Sequence, residues 1–181
     1  MDGSLSPASY PVASSLPSYA PLLDALHRSQ RDELRSIVAS LPLKVGDKVL
    51  DLACGDGTFS GWLAERVSEP GIVVGLDVSV PWLDQATSRL AAAGEHGIAP
   101  TVFAQGDASA IPFAEESFDF VFCAHSLQTL PDARAAIKEM ARVTRRGGHV
   151  AVIENDELTH ALLPWPAEVE LAVQRALARG A

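Results

Sequence analysis

Two kinds of hydrophobic pattern alternate along this chain. Short, nearly continuous apolar runs at 48–53, 72–76, 101–104, 118–124 and 149–153 read as strands. Apolar residues at helical spacing predict helices at about 58–67, 80–93 and 131–145. The connection 105–117 reads as a loop with room for one short helix, and Glu69-Pro70-Gly71, Gly94 to Pro100 and Gly147-Gly148 mark turns. Strands that alternate with helices predict parallel strands joined by right-handed crossovers, hence an α/β fold. The run Phe118 to Ala124 is apolar almost throughout, as a strand covered on both faces requires.

Upstream, Leu22, Leu23, Leu26, Leu34, Ile37, Val38 and Leu41 fall mainly on one face of a single predicted helix from Pro21 to Leu41. Pro21 suits a first turn, and Leu41, preceding Pro42, is driven out of helical conformation. Residues 1–20 are rich in Ser, Pro and Ala and carry Tyr10 and Tyr19. Two readings of them stand side by side, a lid that closes over a cleft and a loose terminus. The organisation expected is a flexible arm at 1–20, a helical part at 21–44 covering the cleft, a core at 45–157 and a helical C-terminal segment at 158–181.

With 181 residues, 48% of them hydrophobic and 20% charged, the chain fits one globular domain. A formal net charge of -9 repels phosphate backbones, so no nucleic-acid partner is expected. There is no uninterrupted apolar run of about 18 residues, and the start Met1-Asp2-Gly3-Ser4 lacks the build of a secretory signal. No membrane partner and a cytoplasmic location are therefore expected. Cys54 and Cys123 are too few for a disulfide framework. They read as small apolar residues rather than as a redox pair. No group of His, Cys and carboxylates has metal-ligand spacing, so no metal is expected.

In an open parallel sheet, ligands sit beyond the carboxyl ends of the strands. The first strand there runs from Asp51 into Ala53-Cys54-Gly55-Asp56-Gly57, where small residues let a ligand approach the backbone. The following helix, from about Thr58, would turn free N–H groups toward the cleft. A carboxylate at Asp51 is ill-placed beside a pyrophosphate but suits an ammonium group. The second strand ends on Asp77, whose carboxylate can accept both hydroxyls of a ribose; the plain alternative is a helix-capping acid. After the third, Asp107 can accept from an adenine amine while the Ala108 N–H donates to the ring; a simple turn aspartate is the alternative.

Read together, these segments resemble the class I S-adenosylmethionine-dependent methyltransferases, particularly the branch acting on small molecules. The first motif is Val49 to Gly57 and the second Gly75-Leu76-Asp77-Val78-Ser79. Gly106-Asp107-Ala108, Ile111-Pro112-Phe113, Ser117-Phe118-Asp119, Leu127 to Asp132 and Arg142 to Gly148 follow in order, so the likeness spans about 45–154. The resemblance implies a Rossmann-like three-layer sandwich with a mostly parallel sheet, S-adenosyl-L-methionine as cofactor and S-adenosyl-L-homocysteine as product. It implies that Asp51, Ala53, Cys54, Gly55 and Gly57 hold the methionine part, that Asp77 binds ribose, and that Val78 packs on adenine. Asp107 and Ala108 would read the adenine edge, with Cys123, Ala124 and His125 beside the sulfonium and substrate.

His125 is the first candidate for a catalytic base, since imidazole titrates near neutral pH; a cleft-lining structural role is the alternative. Glu154 and Asp156 are weaker candidates. Nucleic-acid and amine methylating branches carry an Asn/Asp-Pro-Pro-aromatic motif where this chain has Cys123-Ala124-His125-Ser126. That departure, with the acidic charge, points to O- or C-methylation of a small molecule. A non-catalytic cofactor-binding module is the competing reading. An NAD-dependent oxidoreductase fits less well, since Ser60 stands where the dinucleotide fingerprint wants its third glycine. The family sheet has seven strands and five are read here. The expectation is that either a further C-terminal region or a second copy of the chain covers the open edge of the fifth strand.

Overall fold

The computed structural model describes residues 15–93 and 98–154. Five strands form one sheet in the order β3-β2-β1-β4-β5: β1 Lys48–Leu52, β2 Ile72–Asp77, β3 Thr101–Gln105, β4 Phe118–Ala124 and β5 Thr144–Ile153. Every neighbouring pair runs parallel. This is the α/β, Rossmann-like sheet expected of the strand-helix alternation, and its order reverses between β1 and β4. Ligand clefts of such sheets open at that reversal.

The helices are α1 Ala20–Ser29, α2 Arg31–Ser40, α3 Thr58–Val67, α4 Val80–Ala93 and α5 Ala133–Val143, with a short 3-10 turn at Leu127–Thr129. One core cluster packs Leu34 and Val38 of α2 with Phe59, Leu63 and Val67 of α3 over Val49, Val73, Phe120 and Phe122. On the opposite face, Ala136, Met140 and Val143 of α5 cover Leu50, Leu52, Leu76, Val121 and Cys123. Strand side chains alternate between faces, so each central strand feeds both layers. Asp132 caps α5 by accepting from the Ala135 N–H at 2.9 Å.

Three local expectations are corrected. The single helix from Pro21 to Leu41 is two helices, broken at Gln30, which adopts φ -106° and ψ 15°. Gln30 still donates to Leu26 O at 3.0 Å and accepts from Leu34 N at 2.9 Å, so the break is a kink rather than a loop. It divides two tasks: α2 feeds the core, whereas α1 turns His27 toward the sheet's carboxyl end. Second, α5 ends at Val143 and β5 starts at Thr144, so Gly147-Gly148 lies within the strand. Phe118 pairs with Thr144 and Phe120 with His149, so residues 145–148 bulge out of the ladder there. Third, 105–117 carries no helix; Asp107 and Ala110 form an isolated antiparallel bridge instead. Tyr10, the Gly94 to His96 stretch, Asp156 and the segment 158–181 lie outside the described residues.

Candidate functional site

Alternation along β1 places Asp51 on the α3 face, opposite to Leu50 and Leu52. There the third residue of α3 meets it: Ser60 Oγ donates to Asp51 Oδ2 at 2.5 Å. Asp51 is only 2% exposed. Burial, helped by the negative charges of Asp77 and Asp56, pushes its carboxyl up to about 7, while the Ser60 hydroxyl opposes the rise. Asp77, also buried, accepts from the Gly55 N–H at 2.9 Å and the Ser79 N–H at 2.9 Å. It thereby ties the glycine turn to the end of the neighbouring strand. Burial holds Asp77 above the usual carboxylate range as well, against those backbone donors.

The turn between β1 and α3 is built from left-handed residues. Gly57 has φ 73°, and a Cβ added there would fall 2.8 Å from the Ala86 Cβ, so only glycine closes the turn under α4. Gly55 has φ 51° and faces open space with bare backbone. Ala53, at φ 54°, and His125, at φ 53°, take the same region without being glycine. They end the adjacent strands β1 and β4. Such residues cost about 1–3 kcal/mol each and persist where their surroundings impose them, commonly at functional sites. At His125 the constraint is visible, since its N–H donates to Ile153 O at 2.8 Å.

Beyond these strand ends lie two lobes. The larger, about 240 Å³, is lined by Asp51, Ala53, Cys54, Gly55, Asp77, Ala124 and His125, with Tyr19, Leu23, His27 and Phe59 as further wall. The smaller, about 140 Å³, is lined by Ala53 and Asp77 again, with Val78, Asp107 and Ala108. The lobes share Ala53 and Asp77. The second is mainly apolar in its walls, including Leu52, Leu76, Leu130 and Pro131. Asp107 Oδ1 accepts from the Ser109 N–H at 2.7 Å.

Two residues of the expected set stand apart. Gly57 lines neither lobe and serves the turn itself. Cys123 is wholly buried in the α5-side core, where burial pushes its thiol up to about 12. Cys54 faces the larger lobe, its thiol also pushed up by burial; both thiols are free. Glu154 is occupied as a cap: its Oε1 accepts from the Ser126 N–H at 3.2 Å and the Leu127 N–H at 2.6 Å. Among the described residues no group of three or more His, Cys, Asp or Glu side chains is placed to hold a metal. Nor is any described helix long and apolar enough to cross a membrane.

The structure adds residues that sequence reasoning left unassigned. Asp56, 2% exposed, accepts from the Thr58 N–H at 3.0 Å and from Arg89 Nη2 at 2.8 Å. His27 is buried against the Phe59 edge, ring centroids 5.5 Å apart, and lies 6.2 Å from the His125 ring. Neither ring nitrogen of His27 or of His125 has a hydrogen-bond partner. Burial holds both imidazoles below their usual range, against the pull of Asp56 on His27 and of Glu154 on His125. An Asp followed by Gly and Thr is a legible side-chain turn, so Asp56 carried a signal. His27 carried none, because only packing brings α1 here.

A methyltransferase-domain family model matches residues 50–152. The chain belongs to the class I S-adenosylmethionine-dependent methyltransferases. It is 35% identical over 133 residues to a demethylmenaquinone methyltransferase of Lactobacillus johnsonii, covering 72% of this chain and 54% of that protein. It is 38% identical over 134 residues to the ubiquinone/menaquinone biosynthesis C-methyltransferase UbiE of Xanthomonas campestris, covering 74% and 51%. The chain thus spans about half the length of these relatives. A SAM-dependent methyltransferase structure from Aquifex aeolicus shares the fold, with TM-score 0.66 at 23% identity over 87% of this chain and 86% of that one. The family's methyl donor is S-adenosylmethionine. The residues present suit that ligand: a cationic sulfonium and ammonium would offset the burial that chiefly raises the Asp51 carboxyl and the negative charges of Asp77 and Asp56 that add to it.

Proposed function

We propose that the chain binds S-adenosylmethionine across the two lobes and methylates a small molecule at carbon or oxygen. The observation that carries this reading is the pair of lobes hinged on Ala53 and Asp77, one rimmed by buried carboxylates and the other mainly apolar. Asp51 and the bare Gly55 backbone would hold the amino-acid end, Asp77 the ribose, and Val78, Asp107 and Ala108 the adenine. When bound, the cofactor supplies an electrophilic methyl group on sulfur.

The chain's own part is orientation. Ser60 fixes the Asp51 carboxyl, Asp77 fixes Gly55, and Glu154 fixes the backbone just after His125. Holding a nucleophile at near-attack distance can lower a barrier by about 7–11 kcal/mol in favourable cases. His125 borders the larger lobe as a neutral imidazole and is the residue we assign to take a proton from the acceptor. The relatives named as quinone-pathway methyltransferases favour a ring-bearing acceptor and methylation at carbon. The apolar wall of Leu23 and Phe59 is compatible with such a ring. A cytoplasmic location completes the reading.

The test is methyl transfer from radiolabelled S-adenosylmethionine to a panel of small phenols and hydroquinones, alongside binding of S-adenosylhomocysteine. Cofactor binding with transfer to a panel member supports the proposal. Cofactor binding with no transfer to any member would instead favour a non-catalytic binding module.

A further inference from the structure

Two neighbouring imidazoles in the wall of the larger lobe, both packed against Phe59, have nothing to bond. His27 comes from α1 and His125 from the end of β4, and both line the same cavity. Their centroids lie 6.2 Å apart with planes tilted by 37°. All four ring nitrogens are buried without a hydrogen-bond partner. His27 Nδ1 stands 3.9 Å from Asp56 Oδ1, beyond hydrogen-bond reach.

We propose that His27 completes the acceptor site beside His125, and that the two imidazoles together grip one acidic hydroxyl, phenolic or enolic, of the acceptor. This rests on the methyltransferase reading of the cleft.

Stability does not account for the pair. An unmet buried donor or acceptor costs about 1–3 kcal/mol, and a phenyl ring in place of His27 would pack against Phe59 without that cost. A partner from outside the chain does account for it. A neutral imidazole offers one donor and one acceptor. An oxygen bridging two ring nitrogens with bonds of about 2.9 Å each needs them about 5–6 Å apart, a spacing that rings with centroids 6.2 Å apart reach when they rotate to present their buried nitrogens. A hydroxyl is the group that uses both functions, giving its hydrogen to one ring while its oxygen accepts from the other.

Burial keeps the rings neutral against the pull of the neighbouring carboxylates. Around His27, burial, Arg89 and His125 disfavour the charged ring, while Asp56 and Asp24 favour it; around His125, burial disfavours it and Glu154 favours it. In the reacting complex the O–H bond breaks, its proton passes to the accepting imidazole nitrogen, and its electron pair stays on the acceptor oxygen. That charge makes the oxygen, or the carbon ortho to it, the nucleophile toward the methyl group. The buried rings are the acceptor's docking point, and α1 belongs to the active site.

The experiment uses the 181-residue chain saturated with S-adenosylhomocysteine and 4-nitrophenol as probe, whose absorbance reports its ionisation. Binding is measured for the native chain and for His27→Phe and His27→Asn, with imidazole nitrogen resonances followed by NMR. The expected result is that 4-nitrophenol shifts the ring resonances of both histidines. With S-adenosylhomocysteine kept saturating, His27→Phe then weakens the probe by at least about tenfold and does not lower Tm. Probe binding unchanged by His27→Phe, a shift confined to His125, or a collapse of Tm in both variants would overturn the inference. A native chain that binds S-adenosylhomocysteine but not 4-nitrophenol overturns the hydroxyl assignment and leaves the methyltransferase reading standing. A native chain that fails to bind S-adenosylhomocysteine takes down that reading and this inference with it.

Discussion

Ser60 Oγ and Asp51 Oδ2 stand 2.5 Å apart because α3 folds back over the end of β1. This bond opposes the burial that drives the Asp51 carboxyl up to about 7. Ser60→Ala therefore raises the Asp51 pKa further. The expected outcome is weaker S-adenosylhomocysteine binding near pH 7, recovered as pH rises and Asp51 ionises. Carboxyl-carbon NMR titration of Asp51, with calorimetry at pH 7 and pH 9, checks it. An unmoved Asp51 titration would contradict it.

The same raised carboxyl makes stability depend on pH. In the unfolded chain Asp51 titrates near 4, whereas in the folded chain it holds its proton to about 7. The folded state therefore binds more protons between these values, and stability falls as pH rises from about 4 to 7. The contribution is on the order of 4 kcal/mol. Asp51→Asn removes that slope, so its urea midpoint at pH 7.5 is expected to equal or exceed that of the native chain. Parallel pH profiles for the two proteins would exclude this account.

Gly55 and Gly57 fail differently when given a side chain. A Cβ at Gly57 meets Ala86 at 2.8 Å, so Gly57→Ala is expected to cost roughly 1–3 kcal/mol of stability. A Cβ at Gly55 meets nothing within 4 Å and projects into open space. Gly55→Ala carries only the backbone penalty, about 1 kcal/mol, but obstructs the ligand's approach. Thermal scans should therefore penalise Gly57→Ala more, and calorimetry with S-adenosylhomocysteine should penalise Gly55→Ala more.

Arg89 is the counter-charge of a buried acid. Its Nη2 lies 2.8 Å from Asp56 Oδ2, and the Asp56 side chain is 3% exposed against 40% for Arg89. Removing one partner of a buried pair leaves an uncompensated charge; with Arg89 partly in solvent, Arg89→Met is expected to cost roughly 1–3 kcal/mol. Asp56→Asn in the same background should return part of that loss. A double mutant less stable than Arg89→Met in urea titrations would show that the pair does not act through charge.

Much of the fold could be read from pattern alone. The bounds of α3 and α4 follow from Gly57 and Ser79 ahead of them and from unbroken apolar spacing within, and β1, β2 and β4 show as apolar runs because both their faces are covered. The Gln30 kink could not be read, since glutamine is a good helix former and the break reflects what α1 and α2 pack against. The early start of β5 was hidden by Gly147-Gly148, which reads as a turn but sits in a bulge. In the site, Asp51, Asp77 and Asp107 were legible because strand ends converge in a parallel sheet. Cys123 differs by one position of alternation: its side chain turns into the core while its neighbours Ala124 and His125 face the cleft. His27 reaches the site from a separate helix, and no spacing rule connects residue 27 to residue 125.

The central claim is that the cleft ending β1 and β2 holds an S-adenosyl ligand through Asp51 and Asp77. Calorimetry of the 181-residue chain with S-adenosylhomocysteine and, separately, with NAD tests it most directly. The account predicts saturable one-site binding of S-adenosylhomocysteine, weakened by at least about tenfold in Asp51→Asn and in Asp77→Ala, and no binding of NAD. Binding of NAD instead, or S-adenosylhomocysteine binding that neither substitution weakens, would contradict it.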